Sequence, residues 1–299
     1  MSDLEIRVKN LSCWSDMVNP VPLGGGFSNS NFVVEDAGNK YVVRIGEDNP
    51  FLGIMRFNEF AASHAAFEAG LSPEIVHAEP GVAVIRYIEG RTLETIDIRK
   101  PGMIEKIVLM LKQVHYEIPN YLDGPSLAFS VFQAMRNYRH ILRREGSRHI
   151  GKLERLENIT NQLEQVVKDE KVVFAHNDLL PANFIDDGTR LWLLDWDYAG
   201  FGSPLFDLAN LASNNELDQD QGINLLELYY GRAPDKELWN SFNALKCASL
   251  LREAMCCMIS EIHSTVDVDW VTYTAEDLDR FEQAYTQYKE SQVRLPMQH

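Results

Sequence analysis

Apolar and polar positions divide this chain into two regions with different periods. Up to about residue 90 the apolar runs are short and separated by turn residues. About Asn31–Glu35 and Tyr41–Ile45 read as strands, joined by the turn sequence Asp36-Ala37-Gly38-Asn39. A helix rich in Ala and Glu is predicted over about Phe57–Ala69, stopped by Gly70 with Pro73 just beyond. Strands over about Glu74–Ala78 and Val82–Tyr87 follow. After Glu89-Gly90 helical spacing takes over, in Met103–Val114, in Phe129–Leu142 and through most of Leu205–Gln292. A hairpin interrupts it, with strands at Asn183–Ile185 and Leu191–Leu194 around Asp186-Asp187-Gly188. The expected class is α+β, with a small sheet-bearing lobe over residues 1–90 and a larger, mostly helical lobe over 91–299. A connector near Arg86–Arg91 joins them, and a ligand cleft is expected between them. The chain shows no internal repeat and no low-complexity tract.

Composition narrows the partners. The 299 residues are 45% hydrophobic and 24% charged, which suits a folded globular chain. No apolar run approaches the ~18 residues of a membrane span. The opening MSDLEIRVKN is polar and mixed in charge, unlike a secretory signal. Four cysteines (Cys13, Cys247, Cys256, Cys257) lack Cys-x-x-Cys spacing, so neither a zinc ribbon nor a disulfide framework is indicated, and a reducing cytoplasm is expected. With 28 Lys and Arg against 44 Asp and Glu, the net charge is −16. Nucleic acid is a poor partner for such a surface. An acidic surface can favour cationic ligands or simply aid solubility.

The segment Val172–Gly200, VVFAHNDLLPANFIDDGTRLWLLDWDYAG, carries the most chemistry. It holds His176-Asn177-Asp178, then Asn183 five residues after Asp178, then Asp195 at the end of the second hairpin strand. Phosphoryl transfer from ATP needs a carboxylate to orient or deprotonate the attacking hydroxyl, and oxygen ligands for Mg²⁺ on the phosphates. A D-x-x-x-x-N loop followed by a strand-terminal Asp supplies these in order. Asp178 is the expected base, and Asn183 and Asp195 the expected metal ligands. His176 is expected to brace the loop. Asp197 stands either near the metals or as a solvated loop carboxylate.

In the first lobe, Gly24-Gly25-Gly26-Phe27-Ser28-Asn29 precedes the first strand. Glycines let backbone N–H groups approach phosphate oxygens, so Gly25, Gly26, Ser28 and Asn29 are nucleotide-contact candidates. No Gly-Lys-Ser/Thr follows, and Asn29 stands where a dinucleotide motif would have its last glycine. The strand Tyr41-Val42-Val43-Arg44-Ile45 carries one cation, Arg44, which is either an exposed edge residue or, as a kinase requires, the holder of the α/β-phosphates with Glu59 of the next helix as its expected partner. Arg56, one turn earlier, reads as a surface or bracing charge.

Taken together, GGGFSNSNF, YVVRI, AVIRYIEG, HNDLLPANFI and LLDWDYAGFGSPLFDLAN resemble the choline/ethanolamine kinase branch of the aminoglycoside-phosphotransferase-like kinases, over Leu23 to about Ala284. The resemblance implies a bilobal, protein-kinase-like fold, MgATP as donor and a small, cationic alcohol as acceptor. It implies that backbone groups of Arg86 and Ile88 meet the adenine edge, and that Asp207 braces the catalytic loop. Protein kinases fit less well: Asn177 replaces Arg in the loop, Asp-Trp-Asp replaces Asp-Phe-Gly, and no Ala-Pro-Glu segment is found. For an ammonium acceptor, aromatic faces and carboxylates are required, and Asp197, Glu216, Asp267, Asp269, Trp270 and Tyr273 are the candidates. Other readings are an aminoglycoside or another amino or sugar alcohol as acceptor, and a nucleotide-binding protein without catalysis.

Overall fold

The computed structural model describes residues 2–24, 29–168, 171–264, 266 and 268–294. The first lobe begins with α1 (Asp3–Lys9), whose Ser2 and Glu5 form a reciprocal capping box. Five antiparallel strands follow in part: β1 (Val21–Leu23), β2 (Ser30–Asp36), β3 (Asn39–Ile45), then α2 (Arg56–Glu68), β4 (Ile75–Glu79) and β5 (Val82–Arg86), in the order β1-β2-β3-β5-β4. Period-two alternation gives this sheet two different faces. Phe32, Val34, Val43, Ile45, Val82 and Val84 point one way, onto a small core closed by Val8, Leu11 and Val18. Arg44, between Val43 and Ile45, therefore points the other way. It pairs in register with Asn31 and Ala83.

The helix α2 serves the other lobe as much as its own. Ala62, Ala65 and Ala66 are buried in the large helical core. Asn58 donates to Ala199 O at 2.8 Å and accepts from Leu127 N at 2.9 Å, so it stitches the lobes together through backbone.

The connector runs into β6 (Arg91–Thr92), which joins β8 (Phe184–Asp186) and β9 (Leu191–Leu193) in a three-stranded sheet ordered β6-β8-β9. Short α3 (Thr95–Ile98) leads to α4 (Met103–Tyr116), α5 (Val131–Arg144) and α6 (Ile150–Val166); β7 (Val173–Ala175) pairs with β10 (Gly200–Gly202). Then come α7 (Pro204–Asn214), α8 (Gln219–Tyr230), α9 (Lys236–His263) and α10 (Trp270–Arg294). The 28-residue α9 packs against α5, α6, α7 and α10 and is the axis of this lobe. No helix among the described residues is long and apolar enough to cross a membrane.

The class is α+β and the architecture bilobal and protein-kinase-like, as expected. Individual elements shift for local reasons. The helix predicted from Phe129 begins at Val131, because Phe129 N donates to Phe201 O and Ser130 Oγ caps the helix. That strap lies so close to β10 that a Cβ at Gly200 would stand 2.6 Å from Leu127 O. The predicted hairpin turn is four residues, 187–190, with Asp187 Oδ1 accepting from Thr189 N and Arg190 N.

Candidate active site

The loop after β7 is held in place mainly by Asp207, in the first turn of α7. Its two carboxylate oxygens accept from His176 N at 2.9 Å and Asn177 N at 2.6 Å. His115 Nε2 lies 3.0 Å from it, with Nδ1 against Tyr229 Oη at 2.7 Å. This charge-assisted network is closed to solvent, where such bonds are strongest. Asn177 adopts a left-handed conformation at φ 65°, and its side chain donates to Tyr198 O at 3.0 Å, which makes the turn tolerable. His176 places Nε2 2.9 Å from Leu194 O and rests its ring on Trp196. Burial lowers its proton affinity. Thus His176 braces the loop.

Asp178 projects from this frame. Asn183 Nδ2 donates to its backbone carbonyl at 2.8 Å, closing the loop. Burial pushes the Asp178 carboxyl well above the ordinary carboxylate range, with Arg252 acting in the opposite direction. Arg252 Nη2 lies 3.4 Å from Asp178 Oδ1.

A second acidic group forms where α2 meets the segment after β9. Asp195 follows β9 with φ 67°, a strained value for a residue with a side chain, and it aims its carboxylate at the first lobe. Among the described residues, Glu59, Asp195 and Asp197 bring one oxygen each within 4.8 Å of one another. Two guanidinium groups offset most of their charge. Arg44 Nη2 lies 3.0 Å from Asp195, 3.2 Å from Glu59 and 3.5 Å from Asp197. Arg56 Nη1 meets Asp197 at 2.8 Å and also pairs with Glu59. Burial opposes ionisation of Asp195, but the charge and hydrogen bond of Arg44 overcome it and hold the carboxyl below its ordinary value. Burial, reinforced by Asp195, pushes Asp197 up to about 7. The Asp195 side chain is 31% exposed while those of Glu59 and Asp197 are almost fully covered. Asp195 is therefore the member open to a ligand. Clustered carboxylate oxygens suit a hard divalent cation such as Mg²⁺.

Other expected positions fall out as follows. Arg44 and Glu59 are paired. Arg56 is buried among carboxylates, and its role is bracing rather than surface display; Asp197 is buried as well, so it is no solvated loop carboxylate. Gly25, Gly26 and Ser28 lie outside the described residues, as does Asp267; Asn29 directly precedes β2. Arg86 donates its backbone amide to Glu74 O, which leaves the carbonyl as the backbone group it can present; Ile88 is half-buried in the connector. Glu216 is exposed and pairs with Arg99. Asp269 caps α10 through Thr272 N at 3.1 Å and Thr272 Oγ1 at 2.6 Å. Trp270 and Tyr273 sit at the start of that helix with ring centroids 6.2 Å apart.

The sequence reading did not single out Arg252, Tyr198 or Glu253. The Arg252 guanidinium carbon lies 4.3 Å from the Tyr198 ring centroid and 5.9 Å from that of Phe129, and Nη1 pairs with Glu253 at 2.8 Å. Its signal was a lone cation between Leu250-Leu251 and Ala254-Met255 in a helix apolar on most sides. A cavity of about 280 Å³ adjoins this corner, lined in part by Phe129, Tyr138, Asp197 and Tyr198.

A family model for Choline/ethanolamine kinase matches residues 21–244. This chain belongs to the choline/ethanolamine kinase family. Protein LicA of Haemophilus influenzae is 30% identical over 210 residues, covering 69% of this chain and 61% of that relative. The match thus spans about three fifths of that relative's length. Ethanolamine kinase 2 of Homo sapiens is 26% identical over 269 residues, covering 81% of this chain and 69% of that protein. The crystal structure of choline kinase LicA from Streptococcus pneumoniae superposes with a TM-score of 0.74 at 22% identity, covering 94% of this chain and 100% of that one. At that identity the likeness is one of fold. Within the matched range, HNDLLPANFI carries Asp178 and Asn183, LLDWDYAG carries Asp195 and Asp197, and α2 adds Glu59.

Proposed function

We propose that this chain transfers the γ-phosphoryl group of MgATP to the hydroxyl of a small amino alcohol, choline or ethanolamine. One observation carries the reading. Asp178, a half-buried carboxylate on a loop braced by Asp207 and Asn183, accompanies an acidic group whose most open member, Asp195, is held by the sheet cation Arg44. Membership of the choline/ethanolamine kinase family supports the amino-alcohol acceptor. In this account Asp178 accepts the proton of the acceptor hydroxyl as the oxygen attacks. Arg44 holds the α/β-phosphates while Glu59 and Arg56 keep it aimed. Asp195 and the amide oxygen of Asn183 would hold Mg²⁺, whose charge offsets that of the β- and γ-phosphates. Residues 1–90 serve as the nucleotide lobe and 91–299 as the catalytic and acceptor lobe. Four unpaired cysteines suit a reducing cytoplasm, where ATP is supplied.

A direct test measures ATP consumption by the purified chain with choline, ethanolamine, aminoglycosides and sugar alcohols in turn. Turnover dependent on choline or ethanolamine supports the proposal. Turnover with an aminoglycoside or a sugar alcohol alone would replace the acceptor, and ATP binding without turnover on any of them would contradict the kinase reading.

A further inference from the structure

Arg252 is the largest fully buried charged side chain among the described residues, and the mechanism above leaves it unused. Its side chain is 1% exposed, on α9 in the middle of the helical lobe. A buried guanidinium is costly unless its donors are met. Here they are met unevenly. Nη1 pairs with Glu253 at 2.8 Å and Nη2 reaches Asp178 Oδ1 at 3.4 Å, while buried Nε has no hydrogen-bond partner. The planar group lies against the Tyr198 ring, which fixes its orientation without using a donor. Tyr198 is itself fixed, because its backbone carbonyl accepts from Asn177, the residue before Asp178. The guanidinium and the carboxylate it faces are therefore referenced to the same loop from two sides.

A base on an otherwise free side chain samples several rotamers, and only some of them present an oxygen to the acceptor hydroxyl. The Asn183 and Asp207 bonds restrain the backbone of this loop, not the Asp178 carboxylate. Among the described residues, the one side-chain group placed on the carboxylate is Arg252. With Oδ1 engaged by Arg252, Oδ2 is the oxygen left for an acceptor hydroxyl.

Resting on the kinase reading above, we infer that Arg252 is a positioning residue for Asp178: clamped between Glu253 and the Tyr198 ring, its guanidinium holds Oδ1 and thereby presents Oδ2 to the acceptor hydroxyl. It touches neither phosphate nor metal ligand in this account. Its removal should act on turnover and leave nucleotide binding alone.

The test compares Arg252→Ala, Arg252→Gln and Arg252→Lys with the parent, using ethanolamine and choline as acceptors and water as a third, the last read as basal MgATP hydrolysis. Melting temperatures are measured alongside, because Arg252→Ala leaves Glu253 and Asp178 without their shared cation. Expected for Arg252→Ala and Arg252→Gln is a fall in kcat of about tenfold to a hundredfold, the usual cost of a misplaced reacting group, with KM for ATP unchanged. Arg252→Lys should recover part of the loss, and non-denaturing guanidinium should partly rescue Arg252→Ala. Unchanged kcat in the Ala and Gln variants would overturn the inference. So would lost kcat that tracks a lower melting temperature and that neither Lys nor guanidinium restores. If the parent phosphorylates neither alcohol, the acceptor reading fails by itself. The hydrolysis arm then decides Arg252: a loss in Arg252→Gln that Arg252→Lys restores supports the positioning role, and equal hydrolysis overturns it.

Discussion

Arg44 on β3 and Asp195 at the end of β9 meet at 3.0 Å although 151 positions separate them in the chain. Each owes its place to local structure. Alternation along β3 sends Arg44 away from the small apolar core, and a left-handed backbone at Asp195 turns that carboxylate out of the hairpin toward it. The pair joins the two lobes, and in the proposed function it is the phosphate-holding point. Arg44→Ala should therefore weaken MgATP binding by roughly tenfold or more, as expected for a hydrogen bond to a charged group worth about 1.5–3 kcal/mol. Calorimetric titration of MgATP checks this, and equal affinity in the variant would contradict it.

Asp195→Ala should weaken MgATP more than it weakens ATP without metal, and should abolish transfer. The variant loses the one exposed carboxylate of the acidic group and leaves the Arg44 charge less opposed. The measurement is a Mg²⁺ titration of turnover and of nucleotide affinity. An unchanged Mg²⁺ dependence would remove Asp195 from the ligand set.

Asp207→Ala tests the frame rather than the chemistry. It would strand two buried backbone N–H groups, those of His176 and Asn177, and free His115 from its carboxylate. Each unsatisfied buried donor costs about 1–3 kcal/mol, so a loss of about 3 kcal/mol or more is expected in denaturant unfolding. Asp207→Asn keeps one oxygen acceptor and should cost less.

Glu261, near the end of α9, gives a pH dependence. Burial opposes its ionisation, but the hydrogen-bonded Arg148 guanidinium, with His149 hydrogen-bonded beside it, overcomes this and holds its carboxyl at about 2, below the ordinary glutamate value of 4.5. Folded protein then binds fewer protons at this site than unfolded protein does, so stability falls as pH falls. The contribution is fully present above pH 4.5 and is lost as pH drops toward about 2. Glu261→Gln should melt lower than the parent at neutral pH, and the gap should close across that interval. A gap independent of pH would place the effect of Glu261 elsewhere.

Most of the segment on which the proposed function rests was legible in sequence because it is a short stretch. Asp178, Asn183 and Asp195 lie within one loop and one hairpin, and their order is itself the signal. The pairing of Arg44 with Glu59 was legible only beside that segment: a lone cation on an apolar strand can be an exposed edge residue, but a kinase needs one there paired with a helix glutamate. Arg252 was not, because nothing local reveals that α9 brings residue 252 beside residue 178. Asp197 and Arg56 were read ambiguously for the same cause: their burial depends on α2 crossing to the other lobe's core. Among elements, α1 went unread, since seven largely polar residues owe their helix to a capping box and one buried face rather than to periodicity. The strands β7 and β10 are three residues each and depend on pairing with one another, which their own sequences do not display.

The central claim is that Asp178 serves phosphoryl transfer to a small amino alcohol. The most direct measurement follows labelled γ-phosphate from ATP to ethanolamine and to choline in the parent and in Asp178→Asn. The account expects a phosphorylated alcohol with the parent, and with the variant a rate lower by about a hundredfold to ten-thousandfold, the usual worth of a placed base, at nearly unchanged MgATP affinity. Near-parental transfer by folded Asp178→Asn would contradict it.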